Sequence, residues 1–376
     1  MLSPIFPFLT TSIIFVLVSI IIDRADAQDT NKGQKNELAG ELNSNIVSYS
    51  SCLIAASRAI ESERSDALVV DPLAKTLSGS AYEYRKKHTT KTTWRIAIRT
   101  RYFDDHIRSF LQQHHSKNKQ EQEQQQTVQV VHLGAGMDSR AYRLEEANDD
   151  TIFYDVDCPE VLELKAKLLL DLKEKLLLST STPTPTPSSS LPELKVEETE
   201  NDLVISSAKL QEMIIRGDKR RRTLSCNLEE NGWEEHLLKA GFDTSRPTCW
   251  VLEGLTYYLP DDAVVSSMFQ TMRRLSTKGS CLIVSISSKH GVRRAKKSHN
   301  KLMQSWKWGT DEPIKFLTSI DSGGWECTST DVVTLGDERA NYGRFPEQDK
   351  DQCHHDGDVE PRNSKRSEIS YVIARC

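Results

Sequence analysis

Metal-site patterns are missing from this chain of 376 residues. It contains no HExxH and no CxxC, and its carboxylates do not cluster at ligand spacing, so the usual zinc arrangements have no candidate. Its eight cysteines (Cys52, Cys158, Cys226, Cys249, Cys281, Cys327, Cys353, Cys376) are scattered. Several fall in apolar, strand-like runs, where a free thiol serves as a small buried hydrophobe. A disulfide scaffold is therefore not expected, although a single bridge through Cys353 or Cys376 stays open in an oxidising compartment. Positive charge is not in excess either: the net charge is −5, and the basic spots at 219–222 and 293–297 have no aromatics interleaved. That is the composition of solvated faces or loops, and no nucleic-acid partner is expected. Among ten histidines no Ser/His/Asp or Cys/His arrangement stands out, which leaves nucleophilic triad chemistry without residues to carry it. His132, the one histidine close to a candidate site, reads as structural.

With 37% hydrophobic and 27% charged residues and a mean hydropathy of −0.52, the chain has the material for one large α/β domain with insertions, or two small ones. Residues 5–22 carry no charge and are followed by Ala25-Asp26-Ala27, a small-x-small sequence of the kind that signal peptidases cut. Residues 1–27 are thus expected to be a signal peptide. The apolar run is long and lacks a basic start, which keeps an uncleaved membrane anchor open as the alternative. Either reading implies the secretory or endomembrane pathway, with secretion, anchoring or an organelle as the endpoint.

The chain is organised around residues 128–163. A short β-branched run, 128–133, enters Gly134-Ala135-Gly136, and a second short strand, 151–156, ends at Asp157, about 20 residues beyond the glycines. In an open α/β sheet, an acid at that place accepts hydrogen bonds from ribose hydroxyls. The positions after Gly136 hold Met137 and Asp138, where a dinucleotide fold uses glycines to approach a pyrophosphate. An acid beside the helix start also disfavours phosphate. A phosphate-free nucleoside with a cationic centre suits this turn better, and S-adenosylmethionine is the common one. A nicotinamide oxidoreductase is the disfavoured reading.

Polar stretches punctuate the rest. Residues 28–44 read as a flexible lead-in, and helices are expected at 46–63 and 94–111. The low-complexity stretch 112–127 reads as a loop. A helix at 159–178 runs into the proline-rich insertion 179–202. Strands are expected at 222–226, 247–253 and 279–287, with Asp261 and Asp262 placed to cap the helix that ends near Leu275. A further polar insertion at 346–368 precedes a terminal strand, 369–374, which suggests a closing β-hairpin with an enlarged loop. Residues 45–376 then form a single domain.

Five stretches in order (56–61 with Asp71-Pro72, 99–105, 133–144, 154–159 and 252–260), continuing through Tyr342-Gly343-Arg344, resemble the S-adenosylmethionine-dependent methyltransferases related to leucine carboxyl methyltransferase. The resemblance implies a Rossmann-like α/β methyltransferase sheet flanked by helices, with an N-terminal helical extension and a C-terminal β-hairpin. It implies S-adenosyl-L-methionine as cofactor, held by Arg99 at its carboxylate, by Gly134, Ala135 and Gly136 along the methionine part, by Asp157 at the ribose, and by Asn227 and Leu228 beside the adenine. The family has Asp where this chain has Asn227; an amide can still accept the adenine amino proton, so altered affinity is expected. Glu253 would stand beside the cofactor and the methyl-transfer site, and Tyr257 and Tyr258 would shape the acceptor pocket, with core packing as the alternative for both tyrosines. The implied activity is O-methylation of a carboxylate or hydroxyl on a small molecule or an exposed protein carboxylate. A catalytically inactive cofactor-binding protein of the same fold is the alternative.

Overall fold

The computed structural model describes residues 35–88, 92–120, 127–180, 206–298, 301–335, 337–344 and 368–376. The chain forms two units, Met1–Ile46 and Val47–Cys376. Of the first, only the opening turns of a helix belong to the described residues, and everything below concerns the second.

Helices α1 (Lys35–Ser62), α2 (Ala74–Ser78), α3 (Ala81–Lys87) and α4 (Thr92–Gln120) come before the sheet. Strand β1 (Val128–Leu133) is followed by the short α5 (Arg140–Arg143), β2 (Thr151–Asp157), α6 (Pro159–Thr180) and α7 (Ser207–Arg220). Then come β3 (Arg221–Ser225), α8 (Trp233–Lys239), β4 (Thr248–Leu252), α9 (Asp262–Arg274) and β5 (Cys281–Ser287). Helices α10 (Lys289–Lys296), α11 (Lys301–Gln304) and α12 (Pro313–Thr318) lead to β6 (Val332–Thr334) and the last strand, β7 (Ile369–Arg375).

The seven strands form one sheet in the order β3-β2-β1-β4-β5-β7-β6. β1 to β5 are parallel, and β7 pairs antiparallel with both β5 and β6. This is the expected Rossmann-like methyltransferase sheet with a closing β-hairpin. β1 and β4 are buried along their whole length, as strands covered by helices on both faces must be. Between β1 and β4 the order of strands reverses, so the crevice at their C-terminal ends is the topological switch point where open α/β sheets bind ligands. Asp261 caps α9 as the sequence suggests, its carboxylate accepting from Ala263 N and Val264 N.

Several expectations need correction. The 28–44 lead-in is helical from Lys35 onward, and 28–34 lies outside the described residues. The stretch 112–127 is not a loop at its start, because α4 continues to Gln120. With no glycine or proline to stop it, extending a nucleated helix through Gln, Lys and His costs little per residue. Helix α7 was not expected at all; it is capped by Ser206, whose hydroxyl accepts from Lys209 N, and it buries Met213 and Ile214. The insertions 181–202 and 346–367, and Cys353, lie outside the described residues, and the other seven cysteines are free. The secretory or anchored localisation is also corrected: no helix among the described residues is long and apolar enough to cross a membrane. Residues 1–27, which carried that expectation, lie outside them.

Candidate active site

The glycine turn sits at the C-terminal end of β1, in the switch-point crevice. Gly134 and Gly136 both have positive φ, 70° and 49°, a backbone region that other residues enter only with strain. A Cβ on Gly134 would stand 2.9 Å from Leu255 Cδ1, in the loop after β4. The turn is therefore a cradle that only a bare backbone fits. Gly134 N and Ala135 N both donate to Val156 O, at 2.9 and 3.1 Å, which binds the turn to the end of β2.

Asp157 faces this turn. Its Oδ2 accepts from Gly136 N at 2.7 Å and its Oδ1 from Cys158 N at 2.8 Å. The carboxylate thus couples the glycine turn to the start of α6. Two bonds leave lone pairs on both oxygens for further donors. Burial raises its pKa, against the two backbone N–H groups, which lower it.

Glu253, one residue past β4, lies between two arginines. Oε1 accepts from Arg99 Nε at 2.9 Å and Oε2 from Arg140 Nη2 at 2.7 Å. Burial pushes its carboxyl pKa up, but the Arg140 and Arg99 charges outweigh this and hold it below the usual range. Burial likewise works to lower the Arg99 pKa, and the Glu253 charge more than reverses it. Arg99 comes from α4, so the pair joins the N-terminal helices to the sheet. A Cβ placed on Gly254 would meet Tyr257 Oη at 3.0 Å and Arg99 Nη1 at 3.2 Å, which puts the tyrosine hydroxyl and the guanidinium at one spot. Tyr257 is buried, and burial raises its pKa above the ordinary value despite Arg99 nearby.

The sequence reading missed the centre of this network. Arg140 is only 1% exposed and also holds Asp104 Oδ1 at 2.7 Å and Asp138. Arg143 grips the same Asp104 through both terminal nitrogens, at 2.6 and 2.8 Å. Arg58 bonds Asp71 at 2.8 Å and Met137 O, and Ser139 Oγ donates to Asp71 at 2.6 Å. Each buried charge has an oppositely charged, hydrogen-bonded partner, as burial in a low dielectric requires. The available signal was three arginines in helical stretches, Arg58, Arg140 and Arg143, and three acids, Asp104 in a helix and Asp71 and Asp138 in loops. Tyr371, on β7, is buried near enough to Arg99 and Glu253 for both charges to act on its hydroxyl. Nothing in the local sequence points to it.

Behind the turn, Lys165 of α6 is fully buried with Nζ 2.7 Å from Asp155 Oδ2, and Arg221 reaches the same oxygen at 3.2 Å. His132 lies between Asp155 Oδ1, at 3.4 Å, and Asp138 Oδ1, at 3.9 Å. It is buried between these acids and stacked on Phe153.

Asn227 and Leu228 follow β3. Leu228 is buried in the main core. Asn227 is exposed and engaged with its own turn: Oδ1 accepts from Glu229 N at 3.0 Å and Nδ2 donates to Glu230 at 2.7 Å. A depression of about 460 Å³ on α7, lined by Gln211, Glu212 and Ile215 among others, shares no residue with this constellation.

The leucine carboxyl methyltransferase family profile matches residues 51–272, more than half of the chain and the part that holds every residue of the glycine turn, the Arg99 helix and the Glu253 loop. The chain belongs to this family. It is 28% identical over 302 residues to a candidate S-adenosyl-L-methionine-dependent methyltransferase of Streptomyces coelicolor, covering 77% of this chain and 86% of that one. A similarly named protein of Mycobacteroides abscessus is 28% identical over 330 residues, covering 77% and 87%. Among solved structures, a candidate methyltransferase from Thermobifida fusca matches with a TM-score of 0.43 and 15% identity, covering 86% of this chain and 93% of that one. The plantazolicin methyltransferase BamL, solved with a triazolic desmethylPZN analogue and S-adenosylhomocysteine, gives 0.37 and 11%, covering 88% and 98%. As a member of this family, the chain is an S-adenosyl-L-methionine-dependent methyltransferase, and S-adenosyl-L-methionine is its cofactor.

Proposed function

We propose that the protein methylates a carboxylate oxygen. The observation that carries this reading is the state of Glu253, clamped by Arg99 and Arg140 and kept ionised. A carboxylate with both oxygens engaged by guanidinium groups and a depressed pKa is a weak proton acceptor, and general base catalysis works best with a pKa near the operating pH. Tyr257 is held protonated by burial, and His132 is shut in behind the turn between Asp155 and Asp138. A hydroxyl acceptor would need a base that these residues do not offer. A carboxylate acceptor arrives already nucleophilic.

The residues fit the cofactor. The positive-φ turn offers bare backbone where side chains would collide with Leu255. Asp157 keeps lone pairs for ribose hydroxyls, and Arg99 has terminal nitrogens left beside Nε, the atom bound to Glu253, for a carboxylate. Bound S-adenosyl-L-methionine supplies a methyl group already activated by its sulfonium. The protein's share is to fix the direction of approach and keep water out. Arg140 contributes by holding Glu253 in place, and Tyr257 by closing one side with its buried ring. Family resemblance assigns Asn227 and Leu228 to the adenine, and an exposed Asn227 bonded within its own turn supports a lowered cofactor affinity there.

The test is incubation of the full chain with methyl-labelled cofactor and a panel of carboxylic acids and phenols. Methyl esters release volatile methanol in mild base and aryl ethers do not. Base-labile label supports the reading, whereas base-stable label, or cofactor binding with no transfer to any acceptor, sinks it. Calorimetry with S-adenosylhomocysteine and NAD, run alongside, distinguishes loss of cofactor binding from loss of transfer.

A further inference from the structure

Tyr371 of β7 is held from both sides. Its ring packs on Tyr102 with centroids 5.3 Å apart and edge-on against Phe103 at 6.0 Å, the residues three and four places beyond Arg99 on α4 and so on the same helix face. Along the sheet it pairs with Ser285 of β5. Ser285 Oγ accepts from Gly254 N at 2.8 Å, and its carbonyl accepts from Thr256 Oγ1 at 2.7 Å. Gly254 is the residue beside which Arg99 Nη1 and Tyr257 Oη meet. The phenol is therefore fixed between the Arg99 helix and the loop after β4.

The hydroxyl at the end of this ring has no task inside the protein. Tyr371 is 2% exposed, yet among the described residues its oxygen makes no hydrogen bond, while it keeps a small accessible surface. The phenols of Tyr142 and Tyr342, by contrast, are bonded to Asp218 at 3.2 Å and Asp105 at 3.0 Å. Buried polar groups are paired as a rule, so an unpaired phenol beside Gly254 points to a partner that arrives from outside. Burial raises the Tyr371 pKa above its ordinary value against the nearby Arg99 charge, and the group is a donor, not a base. Arg95, exposed one turn before Arg99 on α4, also acts on this hydroxyl and makes the approach favourable to an anion.

Strand order distinguishes the two ligands of the reaction. Asp157 ends β2 and the glycine turn follows β1, and from β1 the sheet runs through β4 and β5 to β7. At about 4.8 Å per strand, Tyr371 lies roughly 14 Å across the sheet from β1, beyond β4 and its Glu253 loop. A cofactor seated on the glycine turn reaches Glu253 from the β1 side. In-line displacement needs the nucleophile on the side of the methyl group opposite sulfur, which is the β7 side.

We propose that Tyr371 is a positioning residue for the methyl acceptor: its hydroxyl donates to the carboxylate oxygen that is not methylated and so sets the other oxygen in line with the methyl group. The proposal rests on the carboxylate-methylating reading. In the transfer a lone pair of that other oxygen forms the O–C bond as the C–S bond breaks and its electrons return to sulfur; the carboxylate and sulfonium charges cancel, and no proton moves. A neutral donor suits this step. A cation on the acceptor would hold it hardest before its charge is lost, which stabilises the ground state more than the transition state, whereas a phenol orients it at a smaller cost of that kind.

The experiment uses the full chain saturated with S-adenosylhomocysteine and two isotope-labelled probes small enough for any carboxylate subsite, formate and the neutral formamide, followed by NMR line width. Formate is expected to bind about tenfold more tightly than formamide. Tyr371→Phe keeps the ring and its packing; it is expected to raise the formate Kd about fivefold to tenfold and to leave the S-adenosylhomocysteine Kd and the urea midpoint unchanged. Equal formate Kd in variant and parent, or equal affinity for the two probes, overturns the proposal. Weaker S-adenosylhomocysteine binding in the variant also overturns it, by placing the phenol on the cofactor. On the acid that gives base-labile label, Tyr371→Phe is expected to raise KM about fivefold to tenfold and to leave kcat within about twofold, a split that partial unfolding would not give. If formate binding depends on Tyr371 but the label is base-stable on every acceptor, the anion site stands and the carboxylate reading falls. If esters form with a KM that ignores Tyr371→Phe, the reading stands and the role of Tyr371 falls.

Discussion

Arg140 Nη2 donates to Glu253 Oε2 at 2.7 Å, across 113 positions of chain, and this bond ties the helix after the glycine turn to the loop after β4. Glu253 carries Arg99 on its other oxygen, so one carboxylate joins α4, α5 and the edge of the switch-point crevice. The site is a chain of alternating charges, and its parts are expected to fail together.

Glu253→Gln keeps the shape and removes the charge, leaving two buried guanidinium groups without their shared anion. Breaking a buried pair from one side costs about 3–5 kcal/mol; since Glu253 is 14% exposed at its side chain, the lower end is expected. Urea unfolding should show the loss, and calorimetry should show weaker S-adenosylhomocysteine binding. An unchanged midpoint would mean that the carboxylate does not hold the network.

Acid stability follows from the same acids. Burial acts to raise the pKa of Asp104, but Arg143 and Arg140 bring it down to about 2, and Glu253 is also depressed. A carboxylate with a lowered folded pKa binds fewer protons folded than unfolded between the two values. Its stabilisation is complete above the unfolded value, about 4, and is lost as pH falls through the folded one. Stability of the full chain should thus fall steeply from about pH 4 toward 2, and Asp104→Asn should flatten that part of the curve while lowering stability at pH 7. A curve of equal slope in variant and parent counts against the ion pairs.

Gly134→Ala places a Cβ at positive φ and 2.9 Å from Leu255 Cδ1. A strained backbone position costs about 1–3 kcal/mol, which chemical denaturation should detect. If the turn cradles the cofactor, displacing it or Leu255 also weakens S-adenosylhomocysteine binding; a loss of stability with unchanged affinity would remove this turn from the cofactor site.

Lys165→Met leaves Asp155 with Arg221 as its remaining cation within 4 Å, and a loss of about 3–5 kcal/mol is expected. Lys165→Met with Asp155→Leu replaces the buried pair by apolar side chains and should regain more than half of that loss, since apolar substitution of a whole pair is often neutral. A double variant no better than the single one would mean that Arg221 or His132 depends on Asp155 as much as Lys165 does.

Asn227→Asp introduces the family acid beside Glu230, whose carboxylate now takes the amide proton at 2.7 Å. Repulsion between the two acids frees the side chain at 227 from its own turn. Binding of S-adenosylhomocysteine should strengthen by about threefold to tenfold; equal affinity would place Asn227 outside the adenine site.

Local periodicity and turn chemistry decide where strands begin and end, and these belong to the sequence. β1, the glycine turn, Asp157, the capping Asp261 and the terminal hairpin strand could all be read there, because each depends on residues a few positions apart. The end of α4 could not, since polar residues neither require nor forbid a helix that is already running, and α7 hid behind the proline-rich insertion. Arg99, Asp157 and Glu253 could be singled out by family resemblance, but their partners could not. Whether a buried charge is tolerated depends on which opposite charge the fold brings within about 3 Å. That distance is set by strand order and helix packing over more than a hundred residues, as for Arg99 and Arg140 on Glu253. Tyr371 reaches the site only because β7 pairs antiparallel beside β5, in register with Ser285. The sequence alone determined the sheet and the kind of cofactor turn; the tertiary structure decided which charges meet, and so which groups are free to act as a base.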